Sequence, residues 1–160
     1  MTMPLQLVSH NVNGFKSKSQ FISDLCCGLP SCIYSMQEHW LLPPYKKHPG
    51  VNILKSVHPE LDGWGRSAMK TKMENEVRHG RPCGGTGFLW AKELSGSIKP
   101  KPEYDHERVT VMEVRSSIGS LLVINVYLPY FNASDLSNQL NLYSHLLKQL
   151  LVITHTLRRF

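Results

Sequence analysis

Short apolar runs of the length of β-strands recur along this chain. They lie at residues 5–12, 31–37, 51–57, 84–90, 108–114 and 121–127. The last two runs are separated by the turn-forming residues RSSIGS, so together they predict a β-hairpin. Residues 58–83 contain several Gly and Pro residues and predict a long loop, which in a compact domain is usually functional or mobile.

Two segments show the three-and-four spacing of amphipathic helices. Residues 17–28 predict a short helix that is capped by Ser17 or Ser19 and ends at a glycine. Residues 134–154 predict a longer helix that is capped by Ser134. Its apolar stripe consists of Leu136, Leu140, Tyr143, Leu147 and either Leu150 or Leu151. This order of strands and helices predicts an α/β or α+β layered sandwich.

Length and composition narrow the class of protein. A chain of 160 residues with 41% apolar and 19% charged residues predicts one globular domain. The formal net charge of +6 is compatible with a nucleic-acid partner but is weak evidence for one. The sequence shows no signal peptide, and its apolar runs are too short to span a membrane. We therefore expect an intracellular protein without a membrane partner.

The cysteines do not have the spacing of a metal site. Three of the four lie in the segment CCGLPSC, which lacks the paired C-x-x-C spacing of zinc sites. We therefore expect reduced, partly buried thiols.

Three predicted strands end in polar residues that a core strand rarely carries. The first ends at Asn11 and Asn13, the second at Glu38, and the second hairpin strand at Asn125 and Tyr127. Residues two apart on a strand point to the same side, so each pair shares a face. If these ends meet at one edge of a sheet, a carboxylate lies among amides and a phenol, and oxygen donors of this kind suit Mg²⁺.

Each of these residues also has a structural interpretation. N-x-N-G is common turn chemistry, because Asn and Gly tolerate positive φ. Glu38 alone is typical of a solvated loop acid, and Tyr127 is typical of a half-buried strand tyrosine. Asn125 lies in an apolar run, so it is either on the surface of an edge strand or hydrogen-bonded in the interior.

Several short segments together carry a resemblance to a known family. They are LVSHNVNGF, YSMQEHWL, GGTGFLW, ERVTVMEV and VINVYLP, in this order along the chain. Their order and spacing resemble the endonuclease/exonuclease/phosphatase superfamily, which has the DNase I-like four-layer fold. The N-x-N-G form of the first segment is most similar to the apurinic-type endonuclease domain of non-LTR (LINE-like) retrotransposons. The resemblance implies metal-dependent hydrolysis of DNA phosphodiester bonds.

The resemblance also implies roles for the polar strand ends. Glu38 is the implied ligand of Mg²⁺ or Mn²⁺, and Asn11 is implied to help hold the metal-bound water or the phosphate. Tyr127 is implied to lie beside the scissile phosphate and to donate its hydroxyl there. The positions implied to support these groups or to bind phosphate are Asn13, Arg108 and Asn125.

Two segments of the family are absent from the sequence. The chain has neither the G-D-x-N segment, which orients the nucleophile and the leaving group, nor the S-D-H segment, whose His–Asp pair acts on the phosphate. Beyond Tyr127 the only acid is Asp135, which is typical of a helix N-terminus. Smaller departures are His10 and Tyr130, where the family more often has other residues. We therefore expect residues 1–160 to be the N-terminal half of the domain, incomplete at the C-terminus, with hydrolysis absent or severely impaired.

Two other interpretations stay open. In the first, the chain binds nucleic acid through its basic surface without cutting it, so that binding depends on salt and not on Mg²⁺. In the second, the chain is a fragment of an inositol-phosphate or lipid phosphodiesterase of the same superfamily, a choice that the loop 58–83 would decide. For an endonuclease, the expected partner is DNA, the expected location is the nucleus, and an intact relative would carry a reverse transcriptase domain.

Overall fold

A computed structural model describes residues 4–42, 52–55, 57–68, 73–74, 77–78, 83–106, 108–128 and 136–157. The chain divides into two compact units, Met1–Tyr127 and Leu128–Phe160. Among the described residues, the strands lie in the first unit, and the second unit contains one long helix.

The described part of the first unit contains nine strands and one α-helix. The strands are β1 (Gln6–Asn11), β2 (Cys32–Gln37), β3 (Leu61–Arg66), β4 (Met73–Glu74), β5 (Val77–Arg78), β6 (Thr86–Ala91), β7 (Ile98–Pro100), β8 (Val109–Ser116) and β9 (Gly119–Val126). Helix α1 is Ser19–Gly28, and short 3₁₀ turns are formed by Lys16–Lys18, Lys92–Ser97 and Pro102–Tyr104. In the second unit, helix α2 is Leu136–Leu157.

The strands form two main sheets and a small ribbon. The larger sheet has the order β1-β2-β6-β3, in which β1 is parallel to β2 and the other neighbours are antiparallel. The smaller sheet is antiparallel with the order β7-β8-β9, and β4 and β5 form a separate two-stranded ribbon. The protein is therefore a mixed α/β protein with few helices, as the predicted α+β layering requires.

The two central strands of the larger sheet, β2 and β6, are buried on both faces. Alternate residues of β2 and β6, represented by Ile33 and Phe88, pack with Met112 of the smaller sheet. The other set, represented by Tyr34 and Leu89, packs in a separate cluster that includes Ile22 of α1. Burial of both faces explains why β2 and β6 have nearly continuous apolar sequences.

The predicted strands are confirmed except for one. Residues 51–57 do not form the expected strand, because residues 53–55 are a turn in the described part of that segment. The strand of this region is instead β3, which lies inside the segment that was expected to be a loop. Gly63 and Gly65 give β3 the composition of a loop, but they leave room for Leu54: a Cβ added at Gly65 would lie 2.5 Å from Leu54 Cδ1.

Both helices are confirmed, but their predicted caps are not. The N-cap of α1 is Lys18, with no side-chain cap, and the Ser17 and Ser19 hydroxyls donate to the carbonyls of Gly14 and Lys16. Ser134, the predicted cap of α2, lies outside the described residues. In α2 the predicted apolar stripe is largely exposed, at Leu136, Leu140, Leu147 and Leu151.

Two further features bear on the class of protein. The four cysteines are unpaired, with Cys26 and Cys32 buried and Cys27 and Cys83 exposed. Burial raises the pKa of the Cys26 thiol to about 12. Within the described residues, no helix combines the length and the hydropathy needed to cross a membrane.

Candidate metal and phosphate site

The chain turns sharply after β1. Asn13 has a φ of 46° and Gly14 a φ of 97°, and the Asn11 side-chain oxygen accepts a bond from the Asn13 N–H at 3.2 Å. The two asparagines therefore do not share a strand face as predicted: Asn11 ends β1, and Asn13 lies in the turn. Gly14 is required here, because a Cβ would lie 2.5 Å from the ring of Trp40.

The segment after β2 is also in an uncommon conformation. Glu38 and Trp40 both have a φ of 56°, a left-handed value that costs free energy in residues other than glycine. Backbone bonds from Gly14 N to Glu38 O (2.8 Å) and from Phe15 N to His39 O (3.0 Å) hold this segment against the first turn. The two strand ends therefore support each other, and they place Glu38 at the end of the larger sheet.

Glu38 is bonded to the other sheet through Tyr127. Tyr127 is the residue directly after β9, and its hydroxyl donates a hydrogen bond to Glu38 Oε1 at 2.6 Å. Burial, and then the bond to Glu38, raise the pKa of Tyr127 to about 12, so the phenol is protonated at neutral pH. The guanidinium carbon of Arg108 lies 5.0 Å from the centre of the Tyr127 ring, within cation–π distance.

Asn125 is a buried residue between the two sheets. Its amide nitrogen donates to the carbonyls of Met36 (2.8 Å) and Gly87 (3.0 Å), and its oxygen accepts a bond from Gln37 Nε2 at 2.5 Å. Of the two alternatives for Asn125, the structure shows the hydrogen-bonded interior position. The amide holds β9 against β2 and β6, close to where Tyr127 follows the strand.

His39 fixes the turn that carries Glu38. Its Nε2 donates to the carbonyl of Arg66 at 2.8 Å, and its Nδ1 accepts a bond from Leu41 N at 3.0 Å. Burial lowers the pKa of His39 to about 4, so the ring is neutral. A Cβ at Gly85 would lie 2.4 Å from this ring, which explains the glycine at this position.

The structure brings most of the predicted site residues to one end of the sandwich. Tyr127 contacts both Glu38 and Arg108, and Asn125 accepts a bond from Gln37, the residue before Glu38. Asn11 is the strand partner of Gln37 in the parallel pair of β1 and β2. Asn13 is the exception, since it lies in the exposed turn beyond them.

The sequence interpretation did not include Gln37, His39 or Arg66. Gln37 ends a buried strand, and a polar residue in that position is itself a signal of a hydrogen-bonded role. His39 and Arg66 have no such signal in the sequence, because their roles depend on contacts with distant backbone groups.

The protein oxygen atoms at this end of the sheet could bind Mg²⁺ only if water and phosphate oxygens supplied the remaining ligands. In the described ranges, no three His, Cys, Asp or Glu side chains lie close enough together to hold a metal ion. Glu38 supplies one carboxylate, and Asn11, the strand partner of Gln37, supplies an amide oxygen at the same end of the sheet, where it accepts a bond from Asn13 N. Mg²⁺ commonly binds one or two carboxylates and takes its other ligands from waters and substrate phosphates. The donor set therefore fits a weakly held ion of that kind and not a closed metal cage.

The resemblance to the nuclease superfamily rests on the five short sequence segments from LVSHNVNGF to VINVYLP. No family model matches the chain, and no curated protein matches it.

Proposed function

We propose that the sheet end with Glu38 and Tyr127 binds a phosphodiester group of DNA together with Mg²⁺ or Mn²⁺, as in retrotransposon endonucleases of the endonuclease/exonuclease/phosphatase superfamily. The observation that carries this proposal is the bond between Tyr127 and Glu38. It joins residues that are 89 apart and that directly follow strands of different sheets. Both are among the positions for which the resemblance implies phosphate or metal contacts. The four-layer DNase I-like architecture is part of the same proposal, and the two facing sheets support it.

Each residue has a defined part in binding. Glu38 and Asn11 would hold the metal, which when bound supplies positive charge to the phosphate oxygens. Tyr127 remains protonated, so it does not act as a base. Its single hydroxyl proton is donated to Glu38, and it would turn to a phosphate oxygen when Glu38 binds the metal. Arg108 places a positive charge against the Tyr127 ring and so favours a nearby phosphate.

The same geometry is a reason to expect slow hydrolysis, because the histidine beside Glu38 is not placed to act as a general base. His39 is the histidine next to Glu38, but both of its nitrogens are bonded to the backbone and its pKa is about 4. It therefore cannot accept a proton from water at neutral pH. With the G-D-x-N and S-D-H segments also absent, we expect hydrolysis by this chain to be weaker by at least 10²–10⁴-fold than in a complete site.

Binding of DNA is the direct test, since it does not require turnover. The affinity for a labelled duplex oligonucleotide is measured for wild type and Glu38→Gln, in Mg²⁺ and in EDTA at equal ionic strength. In EDTA the variant should bind as well as wild type or better, because a negative charge has been removed. In Mg²⁺ wild type should bind several-fold more tightly than the variant. Nicking of supercoiled plasmid is followed in the same samples.

Glu93→Gln is the matched control, because it removes an exposed carboxylate from the Lys92–Ser97 turn. It should behave as wild type in both buffers, and circular dichroism should show that all three proteins are folded. If Mg²⁺ affects wild type and Glu38→Gln equally, the proposed site is wrong. Rapid nicking that Glu38→Gln abolishes would support the site but contradict the expected loss of hydrolysis.

A further inference from the structure

Arg66 lies at the same end of the larger sheet as Glu38. It is the last residue of β3 and pairs with Thr86 of β6, and Thr86 pairs with Gln37 of β2. Adjacent strands are about 4.8 Å apart, so the Arg66 backbone is roughly 10 Å from that of Gln37, the residue before Glu38. The bond from His39 to the Arg66 carbonyl joins the same two strand ends directly.

The Arg66 side chain is held in place by Asp105. Arg66 Nε lies 3.7 Å from Asp105 Oδ2, and Nη2 donates to the Asp105 carbonyl at 3.4 Å. The Asp105 side chain is completely buried, whereas 36% of the Arg66 side chain is exposed. The arginine is therefore oriented from inside while part of its guanidinium group faces solvent.

Asp105 does not depend on Arg66 for its hydrogen bonds. Trp64 Nε1 donates to Oδ2 at 2.7 Å, and Val111 N donates to Oδ1 at 3.0 Å. Both bonds are shorter than the 3.7 Å ion pair with Arg66. A guanidinium has five N–H donors, so most of its donor capacity remains for another anion.

Two guanidinium groups therefore lie at this end of the sandwich. Arg108 contacts the Tyr127 ring, and Arg66, the last residue of β3, contacts Asp105, three residues before Arg108.

We propose that Arg66 binds a second phosphate, so that the substrate is a nucleic-acid strand spanning Arg108 and Arg66 and not a headgroup with one phosphodiester. This inference rests on the proposed function and specifies its substrate class. It also assigns Asp105 as the residue that positions the Arg66 guanidinium.

The first experiment measures DNA affinity as a function of salt for Arg66→Gln. In EDTA we expect affinity to fall roughly tenfold at low salt, as for loss of one charged hydrogen-bonding contact. The slope of log affinity against log salt should become smaller by about 0.9. Arg66→Lys should retain the slope. Arg115→Gln is the matched control, because Arg115 is also paired with a carboxylate, Glu113, at 2.8 Å, near the β8–β9 turn. It should behave as wild type.

The second experiment locates the phosphates. Duplexes in which one phosphate at a time is replaced by a neutral methylphosphonate are compared for wild type and Arg66→Gln. Wild type should lose affinity at two separate positions, and Arg66→Gln should be insensitive at one of them only. If Arg66→Gln and Arg115→Gln give equal slopes, or if Arg66→Gln keeps both sensitive positions, the inference is wrong.

The two proposals fail in different ways. Arg66→Gln should keep the difference between Mg²⁺ and EDTA that Glu38→Gln removes. Loss of that difference in Arg66→Gln, with thermal unfolding unchanged, would place Arg66 at the metal and contradict a separate phosphate contact.

Discussion

Asn125 joins the two sheets through a set of satisfied hydrogen bonds. A buried amide costs stability unless both its N–H groups and its oxygen find partners, and here each one does. Since two of these partners are carbonyls of neighbouring strands in the larger sheet, the amide also fixes where β9 crosses β2 and β6. The position of Tyr127 relative to Glu38 follows from that crossing.

Asn125→Ala should therefore destabilise the protein. The variant leaves the Gln37 amide and two strand carbonyls without this partner, and the expected loss in the free energy of unfolding is about 2–4 kcal/mol. Urea unfolding measures it, with Asn141→Ala at an exposed position of α2 as the control. A loss below about 1 kcal/mol would show that the amide does not hold the sheets together.

His39 makes stability depend on pH. Its pKa is lowered from 6.5 to about 4 in the folded protein, so between these values the unfolded chain binds a proton that the folded protein does not. Stability should therefore fall as pH is lowered through this window, by up to about 1.4 kcal/mol per pH unit from this residue.

The corresponding variant is His39→Gln, compared with wild type from pH 8 to pH 4.5. We expect it to be less stable at pH 8, because the backbone bonds of the ring are weakened. Its loss of stability below pH 6.5 should be smaller than that of wild type. Parallel curves of unfolding free energy against pH would contradict this assignment.

At the scale of elements, glycines in β3 and β6 allow a close approach of another segment. A Cβ at Gly87 would lie 2.3 Å from Leu54 Cδ1 and 2.9 Å from the Trp64 carbonyl oxygen. Leu54 is fully buried against these strands. Glycine usually weakens a strand, but here the glycines allow the strands to pack closely against Leu54.

Gly87→Ala should overpack this contact and cost about 1–3 kcal/mol in the free energy of unfolding. Gly96→Ala is the control, because a Cβ there would meet no atom within 4 Å. Adding Leu54→Ala to Gly87→Ala should cost less than Leu54→Ala costs alone in wild type, since the two side chains compete for one space. Additive losses would show that Leu54 is not the limiting contact.

These glycines also explain why the sequence predicts a loop where the structure has β3. Propensity assigns Gly-rich sequence to loops, and LDGWGR carries two glycines in six residues. Leu54 lies in an earlier turn and packs against these glycines. Only this contact makes glycine favourable at these positions of the strand. The β8–β9 hairpin was predictable because its apolar runs and its turn residues are adjacent in the sequence.

At the scale of the whole molecule, the two ends of the sheet sandwich differ in chemistry. One end carries Glu38, Tyr127 and the arginines, with the interior between the sheets made polar there by Gln37 and Asn125. The other end has an open cavity of about 730 Å³ lined by Leu5, Ile98 and Leu121 and also by Arg115 and several serines. The proposed contacts all lie at the end that carries Glu38.

The sequence by itself determined the class of fold, the main strands and both helices, because these depend on local periodicity and turn chemistry. It also singled out Glu38, Asn125 and Tyr127, since polar residues at the ends of apolar strands need partners. Only the tertiary structure decided that Tyr127 bonds Glu38, that Asn13 lies in the turn, and that Arg66 and His39 lie near Glu38. These contacts join residues far apart in the chain, and their geometry depends on how the two sheets pack.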